Sequence, residues 1–293
     1  MNELKEIHVL NLGAGVQSTT LYLMFANGEL NRELTCAIFA DTGEEPKAVY
    51  KHVRWLQSLN GPPILIRGIG SRLGDDLMKG ENTQGHRFAA IPAYTFMPGD
   101  DQEGRTRRQC SREYKIDVIE RTIRRELCGL NPGQRIPVKQ FAVTQYVGIS
   151  IDEGGRFQRI QKQRTLGKMR APLIERHMTR RDCQDWLRER GNVPHQVPRS
   201  ACVFCPFHDD AEWLAIKSVP EDWARAIEVD EGIRKPGAIV HRNLNQELYL
   251  HRSCKPLVQI DFAPRKDKNE DQQVMGFWRD DNFSRDCLGV CGV

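Results

Sequence analysis

Cys202 and Cys205, in "SACVFCPFH", stand three positions apart before a proline, the spacing at which a tight turn offers two thiolates to one metal ion or cluster. One such pair is half a site. Cys110, in "RQCSREYK", follows arginines and opens a helix-like run, a setting that favours the thiolate. The terminal "DCLGVCGV" adds Cys287 and Cys291, giving five candidates for four ligand positions. Zinc and a 4Fe–4S cluster both accept four thiolates. A zinc ribbon usually presents two C-x2-C pairs, and here one pair would meet distant single cysteines, which favours iron–sulfur and leaves zinc as the alternative. Cys36, Cys128 and Cys183 read as core or incidental residues, and Cys254 is left unassigned.

A second chemistry lies in "VLNLGAGVQSTTLYLM". An apolar run that ends in small residues and leads into a helix presents backbone N–H groups and a positive helix end, which together hold phosphate. Gly13, Ala14, Gly15, Gln17 and Ser18 belong to this loop. Two further loops follow strand-like runs: "DTGEE" with Asp41, and "GISIDEGGR" with Gly148, Asp152, Glu153 and Arg156. In an open parallel sheet such loops converge at the carboxyl ends of the strands. There the first would hold phosphate or sulfate, Asp41 would face a ribose, an adenine or a magnesium ion, and Arg156 would neutralise the anion. Singly, each has a plainer reading, since glycine turns are commonly only turns and a post-strand Asp commonly caps a helix. Three in this order are harder to dismiss.

Positioning these loops requires alternating strands and helices. The order "IHVLNL", a helix from about Ser18, "TCAIFA", a helix after Pro46, and "PILIRG" is βαβαβ, which predicts a parallel sheet with helices on both faces. A helix over "REYKIDVIERTIRREL" and a strand over "FAVTQYVGIS" extend it. The polar stretch from Ile69 to Arg108 is too long for a plain loop and reads as a functional flap. Beyond about Gly167 the sequence predicts helices at "TRRDCQDWLRERG", "DAEWLAIKSV" and "PEDWARAIEVDEGIR", with no strand ladder. The expected division is a nucleotide-binding domain over 1–165 and a mainly helical, cysteine-bearing region over 166–293, whose residues from Pro264 form a loose tail.

With 293 residues, 39% of them hydrophobic, the chain can bury a real core. No apolar run approaches the roughly 18 residues of a membrane span, and the charged start lacks a signal-peptide core, so the expected location is cytoplasmic. Reducing conditions there make metal binding or catalysis the better use of clustered cysteines than disulfides. The net charge is only +4, yet basic residues concentrate in "RTRRQCSREYK" and "RFQRIQKQRTLGKMR". These runs are either solvated faces or anion-facing surfaces, and they exceed what one nucleotide needs.

In order, "GAGVQSTTL", "ADTGEEPKAVY", "QCSREYKI", "GISIDEGGR", "PLIE" with "DCQDWL", and "SACVFCPF" resemble the phosphoadenosine phosphosulfate (PAPS) reductase family of the adenine nucleotide α-hydrolase (PP-loop) superfamily, over residues 7–207. The resemblance implies a HUP-type Rossmann-like sheet, a bound adenine nucleotide (PAPS or ATP) and sulfur chemistry. In the reductases, a thiolate from a C-terminal segment attacks the sulfur of the sulfonucleotide and thioredoxin resolves the product. Cys287 in "DCLG" matches that segment. Adenylylsulfate reductases also carry a 4Fe–4S cluster; by that pattern Cys110, Cys202 and Cys205 are ligands, and, because Gln109 stands where a further early cysteine would be, Cys291 or Cys287 would complete the set and leave the other as nucleophile, with Cys287 the candidate for that role.

The competing chemistry in the superfamily is ATP-dependent thiolation of tRNA or DNA, in which a cluster or a persulfide delivered by a cysteine desulfurase supplies sulfur, with magnesium on the ATP. Those enzymes carry Ser-Gly-Gly-x-Asp-Ser. Here Gly13 replaces the first serine and Gln17 the acid, which weighs against magnesium-assisted cleavage. A reading from another class is a non-catalytic, zinc-stabilised nucleic-acid-binding module.

Overall fold

The computed structural model describes residues 4–30, 33–81, 91–95, 104–162, 166–235 and 247–262. Five strands form one parallel sheet: β1 (Lys5–Asn11), β2 (Cys36–Ala40), β3 (Ile64–Arg67), β6 (Phe141–Val147) and β7 (Lys168–Arg170), in the order β3-β2-β1-β6-β7. Every residue of β2 is buried, as expected of a strand covered on both faces. The chain lays down β1, β2 and β3 towards one edge and returns to β6 on the other side of β1. A crevice therefore opens at the carboxyl ends of β1 and β6.

Helix α1 (Val16–Ala26) is buried from Val16 to Phe25, so it lies inside a layer rather than on the surface. Beside it α2 (Lys47–Gln57) buries Val49, His52, Val53 and Leu56, the i, i+3, i+4, i+7 stripe of an amphipathic helix. α7 (Arg180–Glu189) joins them on this face, with Leu21, Val53, Trp186 and Leu187 in one cluster. The other face carries α4 (Asp117–Thr122), which π-helical turns flank at Arg112–Ile116 and Ile123–Leu127, and α5 (Gly154–Lys162). Val118, Ile119, Ile123 and Ile160 pack there against Ile7, Val9 and Val143. This is the α/β Rossmann-like architecture that the alternation predicts.

A third core lies beyond one end of the sheet. Leu73 and Leu77 of α3 (Leu73–Lys79) meet Phe204, Trp213 of α8 (Asp210–Lys217), and Ala226 and Val229 of α9 (Pro220–Gly232). Two details differ from the expectation. The sheet layer continues past residue 165, because β7 pairs with β6 and α7 packs on α1. The stretch from Ile69 to Arg108 holds α3 and the short strands β4 (Tyr94–Thr95) and β5 (Gly104–Arg105), and β4 also pairs with β8 (Leu248–Tyr249). That second, antiparallel sheet escapes periodicity because two-residue strands carry no period. Among the described residues no helix is long and apolar enough to cross a membrane. Cys287 and Cys291 lie outside the described residues.

Candidate functional site

One pocket lies at the carboxyl ends of β1 and β6. Its walls include Gly15, Val16, Gln17 and Ser18 at the start of α1, Gly148 after β6, Glu153 and Arg156, and, facing them, Arg180, Arg199, Ser200, Cys205 and Phe207. Gly15 caps α1 in extended backbone without a side chain on the first turn. That leaves the turn's N–H groups without helical acceptors at the pocket wall, as anion binding needs. Ser18 Oγ folds back to the Gly15 backbone, at 3.2 Å from both its N and its O, and fixes the loop. Ala14 adopts φ +59°, a left-handed conformation that non-glycine residues seldom take and that places the turn sharply against the strand. Gly148 is there for close approach: a Cβ on it would sit 2.6 Å from Ser18 Cα and N.

The pocket is rich in charge. Gln17 Nε2 donates to Glu153 Oε2 at 2.8 Å, and Arg156 Nη1 donates to Glu153 Oε1 at 2.7 Å. The carboxylate absent from position 17 of the loop is thus supplied in space by Glu153 from the loop after β6. Arg156, expected as the anion's counter-charge, is turned to Glu153. Arg180 lines the pocket with it: Nη1 donates to Gln17 Oε1 at 3.3 Å, and its guanidinium has no carboxylate partner among the described residues. Arg180 is held by its backbone, whose N–H donates to Asp152 Oδ2 at 2.6 Å. Asp152 is therefore a support for the start of α7 and not a pocket wall.

The thiol side is built around Glu44, Glu45 and the turn at Cys202. Val203 N–H donates to the Glu44 carbonyl, Cys205 N–H to the Cys202 carbonyl, and His208 Nε2 to that same carbonyl at 2.8 Å. Burial works against a charge on His208, but Glu212 at 3.4 Å outweighs it and raises its pKa. Glu212 is in turn held at about 2 by His208 and Arg199 against the effect of its own burial. Cys202 is hydrogen-bonded to Cys205, is half-buried, and lies in the field of Cys205, Cys110 and Glu45; the hydrogen bond, desolvation and these neighbours push its pKa well up. Cys110 and Cys202 pack against the same apolar cluster. The three cysteines expected to act together are therefore neighbours.

As donors they suit a thiophilic cation or cluster, whose positive charge would relieve the crowding of thiolates. Among the described residues, however, no three or more Cys, His, Asp or Glu side chains are arranged as a metal-binding group. Lys115 and Arg112, near Cys110 in sequence, are paired with carboxylates: Lys115 with buried Glu45 at the thiol side, at 3.2 Å, and Arg112 with Asp117 at 2.8 Å.

Of the remaining expected residues, Gly13 and Ala14 do not line the pocket. Asp41 does not reach it, since its Oδ1 accepts from Gly43 N–H and Tyr50 Oη–H, both at 2.8 Å, closing the turn after β2. Cys36, Cys128 and Cys183 are buried, and burial raises the pKa of each. Arg180, Arg199, Ser200 and Phe207 were not legible in the sequence. The nearest signal was the position of Ser200 and Phe207 beside the C-x2-C turn. No family model, curated protein or solved structure matches this chain.

Proposed function

We propose that this chain is a PP-loop enzyme, similar to PAPS reductases, that binds an adenine nucleotide and carries out thiol-dependent sulfur transfer or reduction. The observation that carries the reading is a single pocket in which the bare first turn of a helix faces the thiol of a C-x2-C turn. A phosphate, pyrophosphate or sulfonate would take the N–H groups of Val16 to Ser18 and the guanidinium of Arg180, with Gln17 oriented by Glu153. Cys110, Cys202 and Cys205 would hold a 4Fe–4S cluster or zinc together with Cys291. Such a group, when bound, keeps its ligand thiols as thiolates. Cys287 is the proposed nucleophile.

The carboxylate of Glu153 beside Gln17 favours a second reading, ATP-dependent thiolation, because it returns to the loop an acidic group of the kind that attends magnesium. The deciding experiment is titration of anaerobically purified protein with ATP and with PAPS, alongside iron, sulfide and zinc analysis of the same sample. Saturable binding of PAPS alone supports reduction; magnesium-dependent binding of ATP supports thiolation. A colourless zinc protein that binds neither would refute both and leave the nucleic-acid-binding module.

A further inference from the structure

Outside the pocket, the three-stranded sheet carries an unusual row of side chains. In β5, β4 and β8 the directly paired residues are Arg105, Tyr94 and Tyr249, so the three stand side by side on one face. Arg105 lies 5.9 Å from the Tyr94 ring centroid, and Arg234 lies 5.4 Å from that of Tyr249. The row does not stop at the sheet. Arg105 is also 5.8 Å from the ring of Phe207, and Arg108 is 5.8 Å from the same ring. Phe207 is itself a wall of the pocket, two positions beyond Cys205.

The result is a band of guanidinium and aromatic groups, in the order Arg234, Tyr249, Tyr94, Arg105, Phe207 and Arg108, that runs from the second sheet to the mouth of the pocket. Its charges are unequal. Arg234 is bound by buried Asp230 at 2.6 Å, and the Tyr249 hydroxyl donates to Glu247 at 2.5 Å, so the far end is close to neutral. Arg105 is exposed and has no carboxylate partner among the described residues. Among the described residues, positive charge without a carboxylate partner is thus carried by Arg105, at the pocket end of the band. Such charge on a surface of half-buried rings matches a polyanion that carries flat apolar groups at regular intervals, and only an unpaired nucleic-acid strand combines both. A duplex hides its base faces and would use the charges alone.

We propose that this band binds single-stranded nucleic acid and leads it to the mouth of the pocket. Binding by the band does not rest on the nucleotide-binding reading of the pocket.

The test is fluorescence anisotropy of a labelled single-stranded RNA, the same sequence as DNA, and its duplex, each across a range of salt, with wild type, Arg105→Glu and Tyr94→Leu. Single strands bind more tightly than the duplex, and the stronger of the RNA and DNA arms names the sugar. Arg105→Glu lowers the slope of log K against log salt by about 0.7 for each phosphate that is no longer neutralised. Tyr94→Leu weakens binding about tenfold with the slope unchanged, as removal of one stacking ring requires. Both variants keep wild-type ATP or PAPS affinity, which also shows that they are folded. Equal affinity in wild type and both variants, a duplex bound as tightly as single strands, or no binding of any of the three overturns the proposal. Polynucleotide binding without adenine-nucleotide binding would instead refute the reading of the pocket and leave the band standing.

Discussion

Gly148→Ala tests the pocket at its tightest point. The added Cβ would lie 2.6 Å from both Cα and N of Ser18 and 2.9 Å from the Gln17 carbonyl carbon. Carbon atoms settle at about 3.5–4.0 Å, so the start of α1 and the end of β6 must part by roughly 1 Å. All three contacts are backbone atoms at the base of a fully buried helix, and no flexible side chain can yield instead. Overpacking of this kind costs about 1–3 kcal/mol, which for about 2 kcal/mol lowers the melting temperature by roughly 4–8 °C.

The same displacement pulls the first-turn N–H groups away from the anion. Loss of one hydrogen bond to a charged group, about 1.5–3 kcal/mol, weakens nucleotide binding about 10- to 100-fold. Calorimetric titration with ATP and PAPS reads the affinity, and a thermal melt reads the stability. Gly154→Ala is the control, because a Cβ there meets nothing within 4 Å. A folded Gly148→Ala protein with wild-type affinity would show that the loop is not the anion cradle.

His52 is buried, accepts or donates a hydrogen bond at 2.9 Å to each of Thr19 and His195, and has its pKa lowered to about 3 by burial and then by His195. Its neutral form therefore stabilises the fold fully above pH 6.5, and this contribution is lost progressively as pH falls towards 3. Between pH 7 and pH 5 it amounts to about 2 kcal/mol, so urea unfolding of His52→Gln should show a correspondingly shallower loss than wild type over that range; parallel curves would contradict it. Arg225 contacts Glu44 at 2.5 Å and Asp75 at 2.6 Å, and the Glu44 side chain is fully buried. Arg225→Leu leaves that carboxylate with Arg72 and the Gly74 N–H and should cost about 3 kcal/mol, with Glu44→Gln/Arg225→Leu regaining part of it in chemical denaturation. Cys202→Ser and Cys205→Ser should each lower the iron or zinc content of anaerobically purified protein, and Cys202→Ser, which does not line the pocket, should leave ATP or PAPS affinity unchanged; unchanged metal content would remove the C-x2-C turn from the metal site.

The sequence by itself determined the layers. Period-2 and near-continuous apolar runs such as "TCAIFA", and the helical stripe through Val49, Val53 and Leu56, are local patterns that survive in a single chain because each element must bury its own face. The turn at Gly13 to Ser18 was legible for the same reason: small residues between an apolar strand-like run and a helical run mark the connection between them. Tertiary structure decided the charges and the partners. Nothing local tells Gln17 to meet Glu153 or Arg180 to face Gln17, because these groups lie 136 and 163 positions apart and meet only in the folded chain; the pairing of Arg156 with Glu153 three positions before it is local, and it is what takes Arg156 from the role expected of it. Asp41 looked equally suited to a ligand, and its neighbours Gly43 and Tyr50 claimed it. The arginine and aromatic band was invisible for a further reason: its members come from separate stretches of chain, joined by strands of two residues, too short for any period to show.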